Sequence, residues 1–200
     1  MTPASSDDLI HAHLLESARV KQALAETQRE TIRAAADLIT ATFRSGNKVL
    51  LCGNGGSAAD CQHMAAEFVS RLTKDFERPA LPAIALTTDT SFLTAFANDC
   101  GYDDVFARQV QALGKPGDLL IGISTSGNSP NVVRAMAAAK VAQMRALALT
   151  GDGGQLRRMA DVVVAVPSAN TQHIQEAHLV IEHILCELVE NALFRGQAGQ

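Results

Sequence analysis

From residue 48 onward, short apolar runs alternate with longer amphipathic stretches. Val49-Leu50-Leu51-Cys52, Ala83-Ile84-Ala85-Leu86, Leu119 to Ile123, Arg145 to Thr150 and Asp161 to Val166 are segments rich in hydrophobic residues. Runs this short, bounded by charge, glycine or proline, predict strands of a parallel sheet buried on both faces. Between them the pattern predicts helices over 57–72, 91–97, 103–113 and 130–143, with a last long helix over 171–193. Strands alternating with helices in this way predict an α/β fold, a three-layer sandwich around a five-stranded parallel sheet. Two more helices are predicted ahead of the first strand, over 5–28 and 29–45. Ile10, Leu14, Val20 and Leu24 lie on one stripe, and Ile32, Ala35, Ala36, Ile39 and Phe43 on another. With no strands to connect, these helices either cover a sheet face or pack against a second subunit. The expected organisation is one domain over 1–200, with N-terminal helices over 1–45 and a ligand-binding core over 46–200.

Composition narrows the function. At 200 residues, 47% hydrophobic and 19% charged, the chain is long enough and apolar enough for one globular core. A net charge of −4 without a dense Lys/Arg block argues against a nucleic-acid partner. No apolar run approaches the roughly 18 residues that a membrane span requires. The opening MTPASSDDLI has two aspartates and no basic stretch, so no signal peptide is expected. Cys52, Cys61, Cys100 and Cys186 show no C-x-x-C spacing, which predicts reduced thiols and a cytoplasmic setting.

Candidate chemistry gathers at the strand ends. Gly53-Asn54-Gly55-Gly56 follows the first strand, and Ser57 is expected to open a helix with Asp60 as its capping-box partner. Glycines before a helix start let backbone N–H groups approach an anion closely. The stretch also fits the dinucleotide pattern G-x-G-x-x-A, but the nearest acidic residue at the end of the second strand, Asp89, lies too far along. The third strand runs into Ser124-Thr125-Ser126-Gly127-Asn128-Ser129-Pro130, where four hydroxyls suit a phosphate and Ser129 is placed to cap a helix opened by proline. His63 and Glu67 share a helix face one turn apart. The last helix carries Gln175, Glu176, His178 and His183 among apolar residues. Taken alone, His63 and Glu67 are a surface ion pair, a catalytic pair or metal ligands. Two helices that each carry histidine and an oxygen ligand suit zinc or a similar ion.

Four segments, CGNGGSAAD-x-QH-x3-E (Cys52–Glu67), AND (Ala97–Asp99), STSGNS (Ser124–Ser129) and IQE-x-H-x4-H (Ile174–His183), together resemble the phosphoheptose isomerases. The resemblance implies a flavodoxin-like SIS domain and a cytoplasmic homotetramer with sites built between subunits. It implies conversion of sedoheptulose 7-phosphate to D-glycero-D-manno-heptose 7-phosphate, the first step toward the heptose of lipopolysaccharide, with no nucleic-acid or membrane partner. It places Asn54, Gly55, Gly56, Asn98, Asp99 and Gln175 on the sugar phosphate, and Ser124, Thr125, Ser126 and Ser129 on its phosphate. His63, Glu67, Gln175 and His183 would hold one zinc per subunit, with Glu67 and His183 as the acid/base pair. Gln172 stands where some members carry aspartate, which leaves that carboxylate's role open. The alternative is a non-catalytic relative that binds the bacterial replication initiator. Glu67, Ser126 and His183 match the isomerases and not that relative.

Overall fold

The computed structural model describes residues 5–74 and 76–195, and the ends of the expected 1–200 domain, with the first four residues of the N-terminal reading, lie outside them. Five parallel strands, β1 (Val49–Gly53), β2 (Ala83–Ala85), β3 (Leu119–Ser124), β4 (Arg145–Thr150) and β5 (Val162–Ala165), lie in the order β2-β1-β3-β4-β5. Each is short because its apolar run is short, and the two central strands are buried along their whole length. Alternate residues sort the core into two halves. Val49, Leu51, Leu119, Ile121 and Ile123 point into one hydrophobic cluster, while Leu50, Cys52 and Leu120 point into the other.

The first cluster is closed by α1 (Ser6–Thr27), α2 (Arg29–Arg44), α3 (Gly56–Val69) and α7 (Thr171–Glu190). The second is closed by α4 (Thr90–Cys100), α5 (Val105–Leu113) and α6 (Pro130–Val141). The three-layer α/β sandwich expected from the apolar pattern is therefore the fold. Helix α2 lays its whole predicted stripe, Ile32, Ala35, Ala36, Ile39 and Phe43, into the core. Helix α1 behaves differently. Val20 and Leu24 are buried, whereas Leu9, Ile10, Leu14 and Leu15 stand exposed.

Several boundaries differ from expectation by one to three residues, and two differences matter. Helix α3 begins at Gly56 with Gly55 as its cap residue and no side-chain capping bond, so the expected Ser57–Asp60 capping box is absent. Starting the helix one residue earlier turns Asp60 inward, where it is buried against α7. Helix α4 does not stop before Asn98 but runs through Cys100, closed by Gly101 N–H donating to Ala97 O at 3.0 Å. Among the described residues, no helix is long and apolar enough to cross a membrane.

Candidate active site

Strands β1 and β3 are neighbours at the centre of the sheet, and the chain leaves them toward opposite edges, to β2 and to β4. In open parallel sheets such a reversal of direction leaves a crevice beyond the carboxyl ends of the two strands, and ligands bind there. Both loops singled out in the sequence sit at this place.

An amide pair ties the two loops together. Asn54 Nδ2 donates to Asn131 Oδ1 at 2.9 Å, and Asn131 Nδ2 returns a bond to Asn54 Oδ1 at 2.8 Å. The Asn131 oxygen also accepts from Val132 N–H at 3.0 Å. The side chain of Asn54, a residue expected on the sugar phosphate, is thus engaged at both ends. Asn131 was not anticipated. The available signal was a polar residue at an otherwise apolar, buried helix start.

The serine loop forms a hydroxyl cluster. Ser124 Oγ lies 2.9 Å from Ser129 Oγ and 3.4 Å from Ser126 Oγ, which also accepts from Asn128 N–H at 3.2 Å. Ser129 is the cap residue of α6 but makes no side-chain capping bond. Its hydroxyl turns toward Ser124 instead, so the first N–H groups of α6 keep no side-chain cap from it. Thr125 anchors the loop through its carbonyl, which accepts from Gly151 N–H at 3.0 Å. Gly127 lets the chain turn here: its φ is +63°, and a Cβ would come within 2.5 Å of Gly153 O.

Beside these loops α3 packs on α7. His63 Nε2 lies 2.8 Å from His183 Nε2 and 3.9 Å from Glu67 Oε1. The residues expected to form the acid/base pair thus both lie near His63 within one chain, His183 at hydrogen-bond distance and Glu67 beyond it. Glu67 Oε2 is buried with no hydrogen-bond partner. Arg78, another residue the sequence did not flag, holds the end of α3 that carries Glu67. Its guanidinium donates to Glu67 O at 2.7 Å and Phe68 O at 2.8 Å, and its Nε lies 3.2 Å from Glu190 of α7.

Gln175 stands one step away. Its Nε2 donates to Asp60 Oδ1 at 2.7 Å, which leaves its oxygen as the free end of the amide. A Cβ on Gly56 would lie 3.3 Å from Gln175 Cγ, so a larger residue there would push this side chain aside by a few tenths of an ångström. Asn98 and Asp99 are not brought to these groups by any hydrogen bond. They bond to one another at 2.9 Å on the exposed last turn of α4. Gln172 is exposed in the first turn of α7.

Below the row, the seam between α3 and α7 carries ionisable groups without partners. Asp60 Oδ2 and both Glu182 oxygens are buried and unpaired, and the His178 ring is buried beside them. Burial pushes the Asp60 carboxyl up to about 6. Burial, and then the negative charge of Asp60, push Glu182 up to about 9, so Glu182 is a neutral acid at pH 7. Burial lowers His178 to about 4, which keeps its ring neutral.

The residues fit a borderline divalent ion. Two imidazole nitrogens face each other at hydrogen-bond distance, an arrangement in which only one of them can donate. An unpartnered carboxylate oxygen accompanies them, and two nitrogens with an oxygen are a donor set that zinc accepts. Among the described residues, however, the one His/carboxylate triad whose ligand atoms all lie within 4.8 Å of one another is elsewhere, at His13, His173 and Glu176.

Residues 13–151 match the SIS domain family. A phosphoheptose isomerase from Roseiflexus sp. (strain RS-1) is 57% identical over 176 residues, covering 88% of this chain and 88% of its own. One from Chlorobaculum parvum is 52% identical, covering 94% of this chain and 90% of its own. Among solved structures, the phosphoheptose isomerase of Neisseria gonorrhoeae superposes with a TM-score of 0.88 at 45% identity, over 94% of this chain and all of its own. That of Francisella tularensis gives 0.90 at 38% identity, with the same coverage of both chains.

Proposed function

The chain belongs to the phosphoheptose isomerases of the SIS domain family, and from that premise we propose that it interconverts sedoheptulose 7-phosphate and D-glycero-D-manno-heptose 7-phosphate through an enediol. The observation that carries this reading is the His183–His63–Glu67 row beside two loops suited to an anion. The serine hydroxyls and the start of α6 offer donors to the phosphate, fixing one end of the sugar. Backbone groups of Asn54, Gly55 and Gly56, together with Gln175, Asn98 and Asp99, orient the rest.

With the sugar held, Glu67 takes a proton from C1 of the ketose and delivers a proton to C2. Its carboxylate has two oxygens, Oε2 without a partner and Oε1 3.9 Å from His63, so one can act on the proton while the other is kept for an ion. His183 moves a proton between O1 and O2, so that neither oxygen carries a full charge. Asp60 holds the nitrogen end of Gln175, so the amide oxygen is the end presented to the ligand. His63, Glu67, Gln175 and His183 would hold zinc, which when bound polarises the carbonyl oxygen.

The reading includes a homotetramer in the cytoplasm, feeding heptose toward surface polysaccharide. Support for self-association comes from the apolar residues that α1 leaves exposed, Leu9, Ile10, Leu14 and Leu15, joined by Ile184 and Leu188 on α7. A site completed across subunits also accounts for the exposed position of Asn98 and Asp99. The test is incubation of the purified protein with sedoheptulose 7-phosphate, with and without a chelator, alongside metal analysis and light scattering. Expected are the aldoheptose phosphate, about one catalytic-site zinc per chain and a tetrameric mass. No turnover of that ketose by metal-loaded protein would overturn the reading.

A further inference from the structure

The face of α7 turned toward α1 carries a second cluster that the isomerase reading does not use. His13 Nε2 lies 3.0 Å from Glu176 Oε1, and His173 Nδ1 lies 3.2 Å from Glu176 Oε2. The two imidazole rings are 4.5 Å apart, centroid to centroid, and tilted. All three ligand atoms fall within 4.8 Å of one another. His173 is buried, whereas His13 and Glu176 remain partly open, so an ion entering from solvent meets one prearranged ligand and two that can adjust.

We propose that His13, His173 and Glu176 form a second divalent-metal site, for a zinc-class ion, that staples α1 to α7. The donor chemistry favours such an ion: two neutral imidazole nitrogens and one carboxylate from two helices leave an open side for water, as in a facial triad. The ion replaces the hydrogens through which the two rings now bond to Glu176. The staple has a structural purpose, because α1 buries only Ser17, Val20 and Leu24 in its own chain. One neighbour opposes the ion. The Lys21 ammonium bonds to Ser17 Oγ at 2.5 Å and lies 3.9 Å from Glu176 Oε2. Lys21 is partly exposed and can swing outward, but its charge weakens binding.

The proposal does not rest on the isomerase reading, and the test keeps the two apart. A His63→Ala/His183→Ala chain, which lacks the imidazoles of the first site, is stripped with chelator and titrated with Co(II). Optical absorption and metal analysis follow binding, and circular dichroism confirms the fold. The expected result is about one Co(II) per chain with visible bands of a low-coordinate nitrogen–oxygen site. Adding His13→Gln, which keeps a donor for Glu176 but removes the imidazole ligand, weakens binding by more than about 100-fold, since losing even an outer partner of a metal ligand costs roughly 10–100-fold. Lys21→Met tightens it by roughly tenfold, the scale of one removed like charge near a site. Metal also slows proteolysis within α1. No Co(II) on the folded double variant overturns the proposal, as does binding that His13→Gln leaves unchanged. A Lys21→Met chain that binds no more tightly than its parent contradicts the placement of the ion beside Glu176.

Discussion

Helix α7 has two polar faces, and they are built in opposite ways. Toward α1, Glu176 accepts from Ser17 and is bridged by His13 and His173. The Ser17 hydroxyl, and after it the two imidazoles, hold that carboxyl down at about 2. Toward α3, Asp60, Glu67 and Glu182 have buried oxygens that bond to nothing. Buried polar groups are ordinarily satisfied, and a concentration of exceptions marks a site kept for a ligand or a reaction. The contrast therefore separates a face that holds the fold together from one that holds chemistry in readiness at some cost in stability.

The sharpest way to break this contrast is to remove the reacting groups. Glu67→Gln and His183→Ala are each expected to lower kcat on sedoheptulose 7-phosphate by about 10²–10⁴-fold, the usual worth of a positioned acid or base. Because Glu67 Oε2 has no partner to lose, Glu67→Gln keeps the urea midpoint of the parent. A variant that unfolds instead would move Glu67 to the structural side of the comparison.

Glu182 gives the next largest effect, and its sign is unusual. With a folded value near 9 against an ordinary 4.5, the folded chain keeps a proton that the unfolded chain releases above about pH 4.5. Stability at this residue is therefore lost as pH rises from 4.5 toward 9. Glu182→Gln removes that loss and should stabilise the chain at pH 7 by on the order of 1–3 kcal/mol, read from urea unfolding. The gain should shrink at pH 5.

His178 runs the other way. Its folded value near 4 lies below the ordinary 6.5, so below about pH 6.5 the unfolded chain binds the proton and the folded chain does not. Stability falls as pH drops from 7 toward 4. His178→Leu should abolish about 2 kcal/mol of the loss between pH 7 and pH 5. Equal losses in the variant and the parent would mean that the imidazole is solvated in the native state.

On the satisfied face the effect is smallest and of ordinary sign. Ser17→Ala removes one donor from Glu176 and should cost about 1–2 kcal/mol with turnover retained.

How much of this was legible beforehand follows from the physics of each feature. Strand runs such as Leu119 to Ile123 and stripes such as Ile32 to Phe43 are one-dimensional patterns, and the fold followed from them. The two loops and the His63–Glu67 pair were visible because glycine, serine and i,i+4 spacing carry local meaning, whereas Gln175 and His183, eight residues apart, were legible only through the resemblance to a family. Pairings between distant segments were not visible. Asn54 with Asn131, Arg78 with Glu190, and Glu176 with His13 each join residues far apart in sequence, and nothing in either segment names its partner. The expected cap at Ser57 failed because the helix starts one residue earlier, at Gly56, which leaves Asp60 to meet Gln175 across the α3–α7 seam.

The most direct test of the acid/base row is isomerisation in deuterium oxide, followed by proton NMR over many turnovers. The Glu67 side chain is 19% exposed, so a proton it holds exchanges with solvent. The account predicts deuterium accumulating at C2 of the aldose phosphate and at C1 of the recovered ketose with the parent protein, and none with Glu67→Gln. Full turnover with hydrogen retained at both carbons, or deuterium incorporated as fast by Glu67→Gln, would contradict it.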